Sequence, residues 1–451
     1  MQAALTYLDQ NRDRFLELLF EYLRIPSISA QKEHEPDVRR SAEFAQAALR
    51  AAGCETGIFE GDGLPTVHGS FGSDAAKPTL LVYGHHDVQP PEPLELWETP
   101  AFEPTVVDGE IRARGCADDK GPSLATVLAL ECLVKAGVDL PVNLRFIIEG
   151  EEEVGGPVVE QYLRANQDAL AADALVIADT CGNARGVPAL CYGLRGIATM
   201  QVEVTGPARD LHSGTYGGTV ANPVTALARL VATLHDENGR VTVDGFYDSI
   251  EDLGEAEQER AAALPFDEAA HLAETGSPAL FGEAGQTTLQ RKTARPTCEI
   301  NGLWGGYTGE GMKTIVPAKA NCKISCRLVP GQDPERIAEA MTKHLETHCP
   351  EGVQITVTQD ERARAVYTDP ATPWATRACA AMERAFGVPP ALSREGGSIP
   401  IVNVFQEVLG VQPILLGTYT PGERAHSPNE RYPVEDFFAG IRTCIELFGT
   451  A

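Results

Sequence analysis

No stretch of this sequence approaches the roughly 20 apolar residues that a membrane-spanning helix needs. Its first residues, MQAALTYLDQNRDRFLELL, carry acids and bases inside an apolar pattern, unlike a secretory signal peptide. Positive charge is scarce: 37 Lys and Arg stand against 64 Asp and Glu, a net charge of −27. Such a surface repels nucleic acid and anionic lipid, so no nucleic acid and no membrane is expected as a partner. No CxxC pair occurs among the 11 cysteines, and the closest two are Cys322 and Cys326. An odd, scattered set fits buried thiols in a cytoplasmic, reducing setting better than a disulfide framework. The phosphate-cradling pattern GxxxxGK[ST] is missing, as are short-period repeats and low-complexity tracts.

What is present is a chain of 451 residues, 43% hydrophobic and 22% charged, the mix of an ordinary globular protein. At about 150 residues per domain, two or three domains are expected. The apolar spacing of Leu5, Leu8, Phe15, Leu18, Leu19, Tyr22 and Leu23 predicts a helix from about 2 to 24, stopped by Pro26. Strands are expected at Thr79–Tyr83, Val142–Ile148 and Ala174–Ala178, with a helix near Pro122–Lys135 between the first two. Strands alternating with helices imply an α/β layer with a mostly parallel central sheet. Near Gly193 the pattern changes. Strands near 199–204, 323–328 and 353–358, with helices near 223–234 and 334–348, suggest an α+β, ferredoxin-like unit. An acidic stretch, about 246–290, looks like an insertion in it. The α/β character returns with a helix near 374–386, a strand at 413–416 and a closing helix near 434–448. The expected organisation is a discontinuous domain, 1–192 and 365–451, interrupted by a second domain, 193–364.

The informative polar residues fall at expected strand ends. His85 and Asp87 follow the first strand, Glu151, Glu152 and Glu153 the second, and Asp179 ends the third; Asp118 and Asp119 lie in a loop before a helix. In open α/β sheets, sites form outside the carboxyl ends of the strands, so these clusters should converge. Clustered carboxylates repel, and a multivalent cation removes that cost. Mixed oxygen and imidazole ligands suit Zn, Mn or Co better than Ca or Mg. In extended chain, His85 and Asp87 share a face and His86 points opposite. Asp87 is then placed to accept from the ring N–H of His85 and fix its tautomer. The Glu152–Glu153 pair can supply two roles, one carboxylate on metal and the other as general base. His86, Asp119 and Glu151 are the register alternatives.

Ten stretches, in order and over nearly the whole chain, carry a resemblance: LRIPSIS (23–29), YGHHDVQP (83–90), RGCADDKG (114–121), EGEEEVGG (149–156), GLRGI (193–197), DLHSGTYGG (210–218), KTIVPAKA (313–320), KISCRLVP (323–330), REGGSIP (394–400) and AHSPNE (425–430). The sequence resembles the M20 family of metallopeptidases, and within it the carnosinase-like, cytosolic nonspecific dipeptidase branch. The resemblance implies a zinc-exopeptidase-like catalytic domain interrupted by a lid and dimerisation domain. It further implies two divalent metal ions per subunit, zinc or in some relatives manganese. The metal ligands would be His85, Asp118, Glu153, Asp179 and His426, with Asp118 bridging, Asp87 orienting His85 and Glu152 the catalytic base. His212 would reach a neighbouring subunit's site in a homodimer and polarise the scissile carbonyl. Arg327 would hold the substrate's carboxylate, with Thr314 and Ser398 near the substrate.

The expected activity is hydrolysis of dipeptides, or short peptides with a free C-terminal carboxylate, by activated water. The alternative is a deacylase of N-acyl amino acids using the same metal pair. A metal-dependent phosphoesterase and a noncatalytic scaffold are the more distant readings.

Overall fold

The computed structural model describes residues 1–250, 254–264 and 266–450. These group into two compact units. The first comprises Met1–Tyr192, Thr368–Ser393 and Ile401–Ala451; the second comprises Gly193–Tyr367 and Arg394–Pro400. The stretch carrying Ser398 therefore groups with the second unit.

The first unit is built on one mixed sheet, in the order Glu55–Phe59, Thr66–Phe71, Asn143–Glu149, Thr79–His85, Ala174–Cys181, Pro413–Tyr419 and Ala189–Leu194. Its four middle strands are parallel. The flanking pairings are antiparallel. The middle strands are buried on both faces, as their near-continuous apolar sequences require. Helix Lys120–Lys135 is buried from Lys120 through Leu133, and it packs on the sheet and against Val434–Gly449. A helix apolar on all sides belongs in such a layer. Its start depends on Gly121, where a Cβ would meet the Cys116 carbonyl at 2.1 Å.

Three details differ from expectation. The first helix is two, Gln2–Gln10 and Arg12–Leu23. Asn11 breaks it: its amide N–H bonds the Leu8 carbonyl and its side chain bonds the Tyr7 carbonyl at 2.8 Å. An asparagine side chain competes with the helix for backbone partners in this way. Secondly, Asp179 does not end its strand, which runs on to Cys181 because the Pro413–Tyr419 strand keeps pairing with it through two register shifts. Thirdly, the flanking strands Glu55–Phe59, Thr66–Phe71 and Ala189–Leu194 were not expected; the outermost, Glu55–Phe59, is half-exposed and carries Gly57 without apolar alternation.

The second unit is an antiparallel sheet in the order Thr297–Gly305, Lys319–Leu328, Gly196–Thr205 and Gln354–Ala363. With helices Pro223–Val231 and Pro334–Thr347 packed on the sheet, the chain order is the ferredoxin-like β-α-β-β-α-β. Both helices begin with proline behind a capping side chain, Asn222 and Asp333. The acidic stretch of 246–290 falls partly outside the described residues. It lies between the helix Pro223–Val231 and the strand Thr297–Gly305, and its first residue, Phe246, is fully buried in the core of this unit, its carbonyl accepting from Gln332 at 2.7 Å.

Candidate metal centre

Parallel pairing aligns His85 with Glu149 and Tyr83 with Ile177, so three strands deliver their polar residues to one edge of the sheet. His85 is the last residue of its strand and is fully buried. Two hydroxyls, Ser27 Oγ and Ser41 Oγ, donate to the His86 carbonyl at 2.6 and 2.9 Å. The amide of Val88 donates to the Ser27 carbonyl at 3.0 Å. The LRIPSIS segment thus tethers the GHHDVQP turn. Lys120 Nζ does the same for the ADDKG loop, donating to the carbonyls of Tyr22 and Ile25 at 3.2 and 2.7 Å. Burial pushes its ammonium down to about 7.

Two groups of ligand-type atoms result: His85, Asp118 and Asp179, and Asp118, Glu153 and His426, each with its atoms within 4.8 Å of one another. Asp118 belongs to both. Its Oδ1 lies 3.1 Å from His85 Nε2 and its Oδ2 lies 3.0 Å from His426 Nε2. His426 Nε2 is also 3.2 Å from Glu153 Oε2, and Asp179 Oδ2 is 3.9 Å from His85 Nε2.

The electrostatics are those of an anionic pocket. Burial pushes Glu152 up to about 8, and Glu153 and Asp118 add to the rise. Burial likewise raises Asp179 well above the usual range, with Asp119 and Asp118 contributing. Hydrogen bonds to Asp118 and then Glu153 push the His426 imidazole up to about 10. Burial opposes the charge on Asp118, but its bonds to His426 and His85 outweigh it and hold the carboxyl below its usual range. Two imidazoles and three carboxylates at such separations form a donor set that fits divalent cations, which also relieve the repulsion.

The register alternatives His86, Asp119 and Glu151 make other contacts. The His86 ring turns away, with Nε2 3.0 Å from the Pro65 carbonyl, and burial pushes it down to about 4. Asp119 Oδ2 accepts from the His85 amide at 3.1 Å. Glu151 accepts from the amides of Leu64 and Val158 at 2.7 and 3.2 Å, anchoring the loop after the strand. Asp87 is less simply placed than its spacing suggested. His85 Nδ1 is 3.2 Å from the Asp87 carbonyl and 3.4 Å from its Oδ1, while Oδ2 accepts from the Glu153 amide at 3.1 Å. Asp87 therefore also fixes the segment carrying Glu153.

The remaining expected residues lie in the second unit. His212 pairs with Ile315, and its Nδ1 accepts from the Gly214 amide at 3.0 Å, leaving the ring proton on Nε2. Thr314 is exposed, and its carbonyl accepts from the Ser213 amide at 3.0 Å. Arg327 Nη1 donates to Ser398 Oγ at 2.8 Å.

Sequence reading assigned no role to Arg114, Glu430 or Gln89. Gln89 Nε2 donates to Glu153 Oε2 at 2.8 Å. Arg114 and Glu430 form a buried ion pair at 2.7 Å. The signal was available, since each lies in one of the motif stretches and lacked a stated task.

An open α/β sheet with paired His and carboxylate clusters at its carboxyl edge is the arrangement of a candidate metal centre. Residues 81–449 match the model of peptidase family M20/M25/M40. The Cys-Gly metallodipeptidase of Schizosaccharomyces pombe is 31% identical, covering 96% of this chain and 95% of that protein. The human Beta-Ala-His dipeptidase is 30% identical, covering 99% and 92%. Among solved structures, an M20 family metallo-carboxypeptidase from Sulfolobus solfataricus superposes with a TM-score of 0.88 at 30% identity, covering 96% and 98%. The chain belongs to peptidase family M20/M25/M40.

Proposed function

We propose that this protein is a dinuclear metallodipeptidase that cleaves dipeptides, or short peptides with a free C-terminal carboxylate. The observation carrying this reading is Asp118, one carboxylate shared by two ligand groups. His85 and Asp179 would hold one ion, Glu153 and His426 the other, with Asp118 between them. The N/O donor set suits zinc, with manganese as the second candidate. Bound ions of this kind polarise a carbonyl and lower the pKa of water.

The chain's own residues supply the rest. Glu152 belongs to neither ligand group and is half-buried beside both. It takes the proton of the attacking water and returns it to the leaving amine. His212 donates from Nε2 to the developing oxyanion, in the site of a second copy of the chain. Arg327, held by Ser398, pairs its planar fork with the substrate carboxylate, and Thr314 contacts substrate. Asp87 keeps the His85 ring oriented. In this reading, residues 1–192 and 365–451 catalyse, while 193–364 serve as lid and dimerisation domain in a homodimer. The odd, unclustered set of 11 cysteines, most of them buried, fits a cytoplasmic setting. The names of the Schizosaccharomyces pombe and human relatives favour dipeptides over N-acyl amino acids. A panel of dipeptides and N-acetyl amino acids, assayed with Zn and with Mn, tests the reading. Dipeptides should be hydrolysed; turnover of N-acetyl amino acids alone would overturn it.

A further inference from the structure

Glu430 is fully buried, and both of its carboxylate oxygens are used. Oε2 accepts from Arg114 Nη1 at 2.7 Å and the Gly115 amide at 2.9 Å; Oε1 accepts from the amides of Ala117 and Asp118 at 2.9 and 3.2 Å. Arg114 in turn donates to the carbonyls of Pro90 and Ser427 at 3.4 and 3.3 Å. Strand pairing sets this up: Arg431–Pro433 lies antiparallel to Glu110–Arg112, which brings residue 430 beside the loop that follows. Asn429 pins the same turn, its amide donating to the Leu96 carbonyl at 2.8 Å and its Oδ1 accepting from the Glu98 amide at 2.7 Å.

We infer that Glu430, paired with Arg114, is a positioning residue that locks together the three segments presenting His85, Asp118 and His426. The pair touches each of those segments through backbone groups and none of the ligand side chains. Its main effect falls on Asp118, whose own amide is one of the four donors. Asp118 serves both ligand groups, so slackening its loop disturbs both together. That distinguishes Glu430 from the ligands Glu153 and Asp179, each belonging to one group. The inference rests on the two-metal reading proposed above.

The test uses full-length Glu430→Gln and Arg114→Lys. Gln keeps the shape but places an NH2 against donors; Lys keeps the charge but loses the planar fork. Zinc is titrated into the metal-stripped proteins against a competing chelator, with circular dichroism recording the fold. Wild type should bind two ions; if it binds none, the two-metal reading itself has failed. In the variants that fold, both affinities should fall together by about 10–100-fold, the range for residues that orient metal ligands. Should Glu430→Gln not fold, Arg114→Lys decides. Folded variants that bind two ions with wild-type affinity, merely melting at lower temperature, would show a structural pair only and overturn the inference.

Discussion

His426 Nε2 lies 3.0 Å from Asp118 Oδ2, although the two residues come from loops far apart in the chain. That contact, together with Glu153 at 3.2 Å from the same nitrogen, holds the imidazole in its protonated form, pushed up to about 10. An imidazole that binds a metal must first lose this proton, so ion binding to stripped protein should release protons. The bound state then carries fewer protons than the stripped state, and affinity should rise with pH toward about 10. Calorimetry in buffers of different ionisation heat checks this. Affinity independent of pH, without proton release, would contradict it.

Glu152→Ala should abolish turnover, by at least about 10²–10⁴-fold in kcat, while keeping two ions per chain. Glu153→Ala and Asp118→Ala should lose metal as well as activity. Metal analysis beside steady-state kinetics separates the two classes. A near-normal kcat in Glu152→Ala would remove it from the role of base.

His212→Ala should lower kcat by about 10²–10³-fold, the usual cost of one oxyanion donor. Mixed with Glu152→Ala chains, it should recover part of the activity, because a heterodimer would assemble one intact site. Proven heterodimers that stay inactive would count against a shared site.

Arg327→Ala should raise KM for dipeptides by about 10–100-fold, from the roughly 1.5–3 kcal/mol of a hydrogen bond to a charged group. Amidated dipeptides, lacking the carboxylate, should feel the change little. Arg327→Lys should not restore affinity, since a point charge cannot match the fork. Equal losses on both substrate types would argue against the clamp.

The parallel middle of the sheet was legible because its strands are apolar runs, two of them ending in His85 and Glu149, and burial on both faces leaves few other readings for LLVYGH or LRFIIE. The Asp118–Asp119 pair was legible from its place before a helix, and the family resemblance alone chose Asp118 of the two. Arg114 and Glu430 stood out only as motif residues without a task; their pairing was not legible, because no local period marks a charge that tertiary structure buries. Removing one member of such a pair typically costs about 3–5 kcal/mol. Nor was the burial of Phe246 legible, which opens the acidic stretch and has charged neighbours rather than an apolar period around it.

Anomalous diffraction from crystals grown with zinc tests the central claim most directly. Two peaks about 3.5–4 Å apart should flank Asp118, one against His85 and Asp179, the other against Glu153 and His426, with Glu152 bound to neither. A single peak, or peaks on other side chains, would contradict the paired-ion site.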